Sequence, residues 1–127
     1  MARILCVDDE LPVVTLKCAI LERAGHTATA AISARDAVEK LRNNDYDAVV
    51  TDWLLGDADG RVVVEEARNK SNGAMPGVVV TAFIDFAYRA PEPLADLYLE
   101  KPVDPEELIV IVNELLKKRE PSFPVPG

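Results

Sequence analysis

The sequence predicts a single α/β domain: a doubly wound, five-stranded parallel sheet with helices on both faces. Short apolar runs alternate five times with segments of helical periodicity, which is the pattern of parallel strands connected by helices. In addition, the runs at 4–7 and 48–51 are almost entirely apolar, as in strands that are buried on both faces. These two observations favour a parallel sheet over an antiparallel one.

Five segments are predicted to be strands. Four of them are continuous runs of aliphatic or β-branched residues, whereas the second alternates threonine and alanine and is the weakest. The predicted strands are 4–7, 26–30, 48–52, 77–81 and 97–99.

Five helices are predicted, at residues 12–24, 33–43, 60–70, 83–90 and 104–119. Pro12 suits the first turn of the first helix, and Ser33 with Asp36 approximates a capping box for the second. The fourth helix is kept short by the prolines that follow it. Asp104 and Pro105 supply an N-cap and a first-turn proline for the last helix.

With right-handed crossovers, this alternation predicts the flavodoxin-like strand order 2-1-3-4-5, whose switch point lies between the first and third strands. Residues 1–120 are expected to form the domain. Residues 121–127 are rich in proline and are expected to form an extended tail or a linker stub.

Composition narrows the classes of function. The 127 residues include 22 acidic and 14 basic side chains, a net charge of −8, which argues against direct binding to nucleic acid or to anionic membranes. A membrane span of about 20 apolar residues and a signal peptide are both missing, so we expect a cytoplasmic protein. Cys6 and Cys18 are interpreted as small hydrophobic residues rather than a disulfide.

Acidic residues follow the two strands that flank the predicted switch point. Asp8 and Asp9 follow the first strand, and Asp52 ends the third. Carboxylate oxygens are the ligands that Mg²⁺ prefers, so the pattern predicts a site for Mg²⁺ or Mn²⁺. Two such charges about 5 Å apart repel by roughly 3 kcal/mol, and we expect at least one carboxyl to have a raised pKa in the metal-free site.

The same edge of the sheet has the groups that phosphoryl transfer needs. A carboxylate can attack phosphorus and form an aspartyl phosphate, and catalysis of this step is mostly positioning and charge neutralisation. Lys101 follows the fifth strand and Thr81 ends the fourth. Their ammonium and hydroxyl groups are therefore expected to contact the transferred phosphoryl group.

With these residues in place, the chain resembles the response-regulator receiver domains of two-component signalling, over residues 3 to about 119. The motifs occur in the family's order and at the family's strand ends. The matching positions are Asp8 and Asp9 for the acidic pair, Asp52 for the phosphorylated residue, Gly60, Thr81 and Ala82 for the switch hydroxyl and its small neighbour, Tyr98 for the switch aromatic, and Lys101 with Pro102, a proline that is usually cis in this family.

The resemblance implies that Asp52 accepts a phosphoryl group from a histidine kinase or a histidine phosphotransfer protein. It implies that Asp8, Asp9, Asp52 and the main-chain carbonyl of Leu54 hold Mg²⁺. Phosphorylation would then alter the surface of the fourth helix, fifth strand and last helix, and so change binding to a second copy or to a downstream protein. Such a protein is a signalling switch rather than an enzyme, although it catalyses its own phosphorylation and dephosphorylation.

Two further positions bear on the lifetime of the phosphoryl group. In the family, the residues two after the phosphoacceptor and two after the switch threonine border the path of the hydrolytic water, and here they are Leu54 and Phe83. Because both are apolar, we expect slow dephosphorylation. The chain departs from the family at Gly56, where proline is usual, and at 91–95; neither departure is expected to touch the pocket.

Other functions remain open at the level of the sequence. A flavin-binding module would need a glycine- and hydroxyl-rich loop after the first strand, where acids would repel phosphate. A haloacid-dehalogenase-type phosphatase would need an acid at Leu54. A pseudo-receiver that only binds other proteins is the more serious alternative. Trp53 is expected at the half-buried rim of the pocket and His26 on the surface.

Overall fold

A computed structural model describes residues 2–81, 96–101 and 104–119 of the chain, and it confirms the predicted architecture. Five parallel strands form one sheet in the order β2-β1-β3-β4-β5. Each boundary lies within one residue of its predicted position. The strands are β1 (Arg3–Val7), β2 (Thr27–Ala31), β3 (Ala48–Asp52), β4 (Gly77–Thr81) and β5 (Leu97–Glu100).

Helices follow the strands where the capping signals indicate. The Ser33 hydroxyl accepts a hydrogen bond from the Asp36 N–H at 2.9 Å, which confirms the predicted cap, and the Asp104 carboxylate accepts one from the Glu106 N–H at 3.1 Å. The Asp59 carboxylate caps the third helix through the Arg61 N–H. The helices are α1 (Leu11–Arg23), α2 (Ala34–Asn43), α3 (Gly60–Ser71) and a C-terminal helix (Pro105–Arg119).

The register of the sheet brings the candidate site residues to one edge. Val7 of β1 pairs with Thr51 of β3, so the residue after each of them, Asp8 and Asp52, lies at the same level. Thr81 of β4 pairs with Glu100 of β5, and Lys101 comes next in the chain. Parallel strands end at a common edge, and this is where ligands bind in open α/β sheets.

Two apolar cores cover the two faces of the sheet, because side chains of successive strand residues point in opposite directions. Ile4 and Cys6 of β1 face α1 and the C-terminal helix, and Leu5 and Val7 face α2 and α3. The fully buried residues with the largest side chains include Ile4, Leu5, Leu21, Leu41, Leu55 and Leu108. These cores fix the strand ends on which the candidate site depends.

Two predictions of exposure are wrong. Trp53 is buried and packs with Val64, Val79 and the half-buried Tyr98. His26 is half-buried: its Nδ1 accepts a hydrogen bond from the Ala2 N–H, and its Nε2 lies 2.7 Å from the Asn113 amide oxygen. The ring therefore connects the start of β1 to the C-terminal helix, a contact between distant segments that its immediate neighbours in the sequence do not reveal.

Several predicted features lie outside the described residues: the helix at 83–90, the segment 91–95, Ala82, Phe83, Pro102 and the tail at 121–127. Among the described helices, none combines the length and the apolar composition required to cross a membrane. Cys6 and Cys18 are both free thiols, in agreement with the sequence-based interpretation.

Candidate functional site

The structure brings the three predicted acids together at the edge of the sheet. Asp8, Asp9 and Asp52 each offer one carboxylate oxygen, and these oxygens lie within 4.8 Å of one another. Asp8 and Asp52 are buried, whereas Asp9 is exposed. A group of hard oxygen donors at this spacing fits Mg²⁺ or Mn²⁺.

Asp8 is held on both of its oxygens. Its Oδ1 accepts a hydrogen bond from the Glu10 N–H at 3.0 Å, and its Oδ2 lies 3.2 Å from Lys17 Nζ and 3.4 Å from Lys101 Nζ. Burial alone would raise the pKa of Asp8, but the Glu10 hydrogen bond and the two ammonium groups outweigh burial and lower this pKa. Asp8 is therefore not the carboxyl of raised pKa that is expected among these acids, because cations of the protein already offset the repulsion.

The carboxylate oxygens of Asp52 have a different set of partners. Its Oδ1 accepts a hydrogen bond from the Trp53 N–H at 2.7 Å, and its Oδ2 lies 2.9 Å from Lys101 Nζ. Partial burial would lower the pKa of Lys101, but the contacts with Asp52 and Asp8 outweigh it and raise this pKa. Lys101 thus bridges the two buried carboxylates.

The loop after β3 depends on glycine at two positions. A Cβ atom at Gly60 would lie 2.4 Å from the Asp52 carbonyl oxygen, a contact that no side chain can make, and the Gly60 N–H donates to the Trp53 carbonyl. Gly56 has φ +82°, and a Cβ atom there would lie 3.4 Å from Asp9 Oδ2. Gly56 therefore borders the pocket, and the expectation that its departure from the family pattern leaves the pocket untouched stays a prediction.

The same loop also reaches across to α2. The two carboxylate oxygens of Asp57 accept hydrogen bonds from the Ala34 and Arg35 N–H groups at 2.9 and 3.0 Å, and these bonds, the first above all, lower the pKa of Asp57. Two N–H groups in the first turn of α2, where the helix itself offers no acceptor, are thereby bonded to a residue more than 20 positions away. Sequence reasoning did not identify this contact, since an aspartate in a loop has many possible partners.

The remaining predicted site residues lie around the acids. Thr81 is buried at the end of β4, and its carbonyl accepts a hydrogen bond from the Lys101 N–H at 2.9 Å. Tyr98 of β5 is half-buried beside Trp53. Leu54 is 49% exposed, and its roles as a metal ligand and as a barrier to water stay predictions, as does the role of Phe83.

Lys17 is the residue of the site that the sequence analysis missed. It lies on α1, three positions after Val14 and four before Leu21, both of which are buried. That spacing places Lys17 on the inward face of the helix. A lysine at an inward position of the helix that follows an acidic turn is a signal that could have identified it as a partner of the pocket.

Comparisons with known proteins agree with this geometry. Residues 4–113 match the response regulator receiver domain family. The chain is 30% identical over 122 residues to the phosphate regulon transcriptional regulatory protein PhoB of Escherichia coli (strain K12), covering 94% of this chain and 53% of that protein. The chain spans about half the length of the curated relatives it matches.

Solved structures give the same result. A CheY-like receiver domain protein from Methanospirillum hungatei JF-1 superimposes with a TM-score of 0.84, at 28% identity, covering 94% of this chain and 96% of that one. The response regulator protein TrrA from Thermotoga maritima, solved in complex with Mg(2+)-BeF, has a TM-score of 0.82 at 29% identity, covering 91% and 99%. The chain belongs to the response regulator receiver domain family.

Proposed function

We propose that the protein is a phosphoacceptor switch in which Asp52 receives a phosphoryl group, with Mg²⁺ bound, from a histidine kinase or a histidine phosphotransfer protein. The observation that supports it best is the convergence of three carboxylates and Lys101 at one edge of the sheet. The solved complex of TrrA with Mg(2+)-BeF adds support, since TrrA has the same fold and its complex contains the Mg²⁺ that we propose for this pocket.

The chemistry follows from the positions of these groups. A carboxylate oxygen of Asp52 attacks phosphorus, the bond from phosphorus to the donor nitrogen breaks, and an acyl phosphate forms while the imidazole departs. A divalent ion supplies charge neutralisation when bound. Lys101 lies within 2.9 Å of Asp52 Oδ2 and can move its ammonium onto the transferred group. The Thr81 hydroxyl is assigned the second contact with that group.

The product of this reaction is a signal rather than a released compound. We assign the output to a surface made of the helix predicted at 83–90, β5 and the C-terminal helix, with Thr81 and Tyr98 as the switch residues. The partners of this surface would be a second copy or a downstream protein. The net charge of −8 supports proteins rather than nucleic acid or membrane as partners, and a histidine-phosphate donor supports a cytoplasmic location.

Phosphodonor labelling tests this function. We expect acetyl phosphate or phosphoramidate with Mg²⁺ to add one phosphoryl group to the wild type, measured by intact mass, and Asp52→Asn to remove this addition. Asp45→Asn is the matched control, because Asp45 is exposed and lies on the connection that leads into β3, away from the acids. A wild type that gains no mass, or an Asp52→Asn variant that labels equally, would favour the pseudo-receiver.

A further inference from the structure

Lys17 is an unusual residue to find inside a domain. Lysine side chains normally keep their ammonium group in water, yet Lys17 is only 4% exposed. Its Nζ lies 3.2 Å from Asp8 Oδ2, and its neighbours on the inward face of α1, Val14 and Leu21, are fully buried. A buried charge requires a partner, and Asp8 is the partner of this one.

Lys17 makes the net charge of the pocket less negative. Asp8, Asp9 and Asp52 contribute three negative charges, and Lys101 and Lys17 contribute two positive ones. The group as a whole therefore has a charge of about −1 instead of the −2 that Lys101 alone would leave. Both ammonium groups contact the same oxygen, Asp8 Oδ2.

We propose that Lys17 is a resident cation of the pocket that competes with the divalent ion for Asp8 and so keeps the affinity of the empty pocket for Mg²⁺ low. A divalent ion at the three carboxylates would be repelled by the Lys17 ammonium and would have to share Asp8 with it. This inference rests on the proposed function, because it takes the three acids to be the divalent-ion site.

The competition also makes metal binding depend on phosphorylation. Phosphorylation of Asp52 replaces one carboxylate charge by an acyl phosphate that carries nearly two, so the pocket gains about one negative charge at neutral pH. Lys17 offsets one carboxylate in the unphosphorylated protein. The phosphoryl group therefore accounts for a larger share of the attraction for the ion than it would in a protein with a neutral residue at position 17. Linkage requires the reverse as well: the bound ion favours the phosphorylated state by the same factor.

Direct metal binding tests the proposal. Lys17→Met and Lys17→Gln remove the charge at similar side-chain length, and Lys17→Arg retains it. Mn²⁺ affinity is measured for each unphosphorylated protein by electron paramagnetic resonance, with Mg²⁺ as competitor. One charge about 6 Å from a divalent ion, at the dielectric constant of water, corresponds to about a tenfold change in Kd, so the two neutral variants should bind Mn²⁺ at least about tenfold more tightly.

Lys117→Met is the matched control for net charge. Lys117 is exposed near the end of the C-terminal helix, so its removal should leave the Mn²⁺ affinity within about twofold of the wild type. Neutral Lys17 variants with wild-type or weaker affinity would overturn the proposal, and so would a Lys17→Arg variant that binds as tightly as Lys17→Met. In the last case packing, rather than charge, would set the affinity.

If neither neutral variant folds, the wild type decides the question. Saturation with Mg²⁺ should shift the ¹³Cε resonance of Lys17 as the ion takes a share of Asp8, and an unchanged resonance would overturn the proposal. The outcomes stay separate from the proposed function, because neither measurement involves phosphorylation. A protein that binds Mn²⁺ as expected but gains no mass from acetyl phosphate would contradict only the phosphoacceptor function.

Discussion

The two strand ends that form the pocket hold their carboxylates in different ways. At the end of β1, Asp8 is completely buried and its Oδ2 contacts two ammonium groups. At the end of β3, Asp52 is 8% exposed, contacts one ammonium group and lies beside a loop that glycine keeps close to the strand.

This difference indicates a division of roles. The β1 end is built to keep a negative charge in place inside the protein, because every contact of Asp8 favours its ionised form. The β3 end leaves a small part of its carboxylate exposed, and under the proposed function a phosphodonor would approach it there. This comparison predicts that a substitution should cost most at the buried Asp8 and less beside Asp52, and that the effect should change sign only at the exposed Asp9.

The largest effect is expected from Asp8→Asn, which leaves the Lys17 ammonium buried without its carboxylate. Breaking a buried ion pair costs about 3 kcal/mol, so the melting temperature in chelator should fall by about 10 °C. The measurement is thermal unfolding followed by circular dichroism. The double variant Asp8→Asn, Lys17→Met should be more stable than the sum of the single changes predicts.

The pH dependence of this difference has a definite sign. The pKa of Asp8 is lowered in the folded protein, so its contribution to stability is complete above the unfolded value of about 3.9 and is lost as the pH falls through the folded value. The gap in free energy of unfolding between the wild type and Asp8→Asn should therefore shrink as the pH falls below about 4. A gap that widens in acid would contradict the account of Asp8.

A smaller effect is expected from Gly60→Ala at the β3 end. The new Cβ would lie 2.4 Å from the Asp52 carbonyl oxygen, so β3 or the start of α3 must shift, at a cost of about 2 kcal/mol. Labelling of Asp52 should slow as well, since its carboxylate follows the same backbone. Gly77→Ala is the control, because its Cβ would make only ordinary contacts, the nearest at 3.5 Å. Equal losses in the two variants would refute the close-approach argument.

The smallest effect, with the opposite sign, is expected from Asp9→Asn. Asp9 is the exposed member of the acidic group, and neutralising it removes repulsion from Asp8 and Asp52. The melting temperature in chelator should rise by a few degrees, for about 1 kcal/mol or less, while the stabilisation by added Mg²⁺ should decrease. A lower melting temperature in chelator would mean that Asp9 is a structural hydrogen-bond partner.

Local patterns determined the fold and most of the candidate site. Apolar runs of strand length, Ser33 and Asp104 as caps, and alternation of strand and helix are encoded by neighbouring residues, and the structure confirms them. Asp8, Asp9, Asp52 and Lys101 could be predicted because the ends of parallel strands meet at one edge. That rule needs the strand order but no side-chain detail.

Tertiary structure decided how these groups are paired and buried. The sequence indicated crowded acids of which at least one has a raised pKa, whereas the pKa of Asp8 is lowered by the Glu10 N–H and by Lys17 and Lys101, which converge on it from α1 and from the end of β5. The burial of Trp53 and the contact of His26 with Asn113 likewise depend on elements that pack from elsewhere in the chain. Electrostatic interactions act through distance in space, so the sign of the effect on a pKa is known only when the positions of all nearby charges are known.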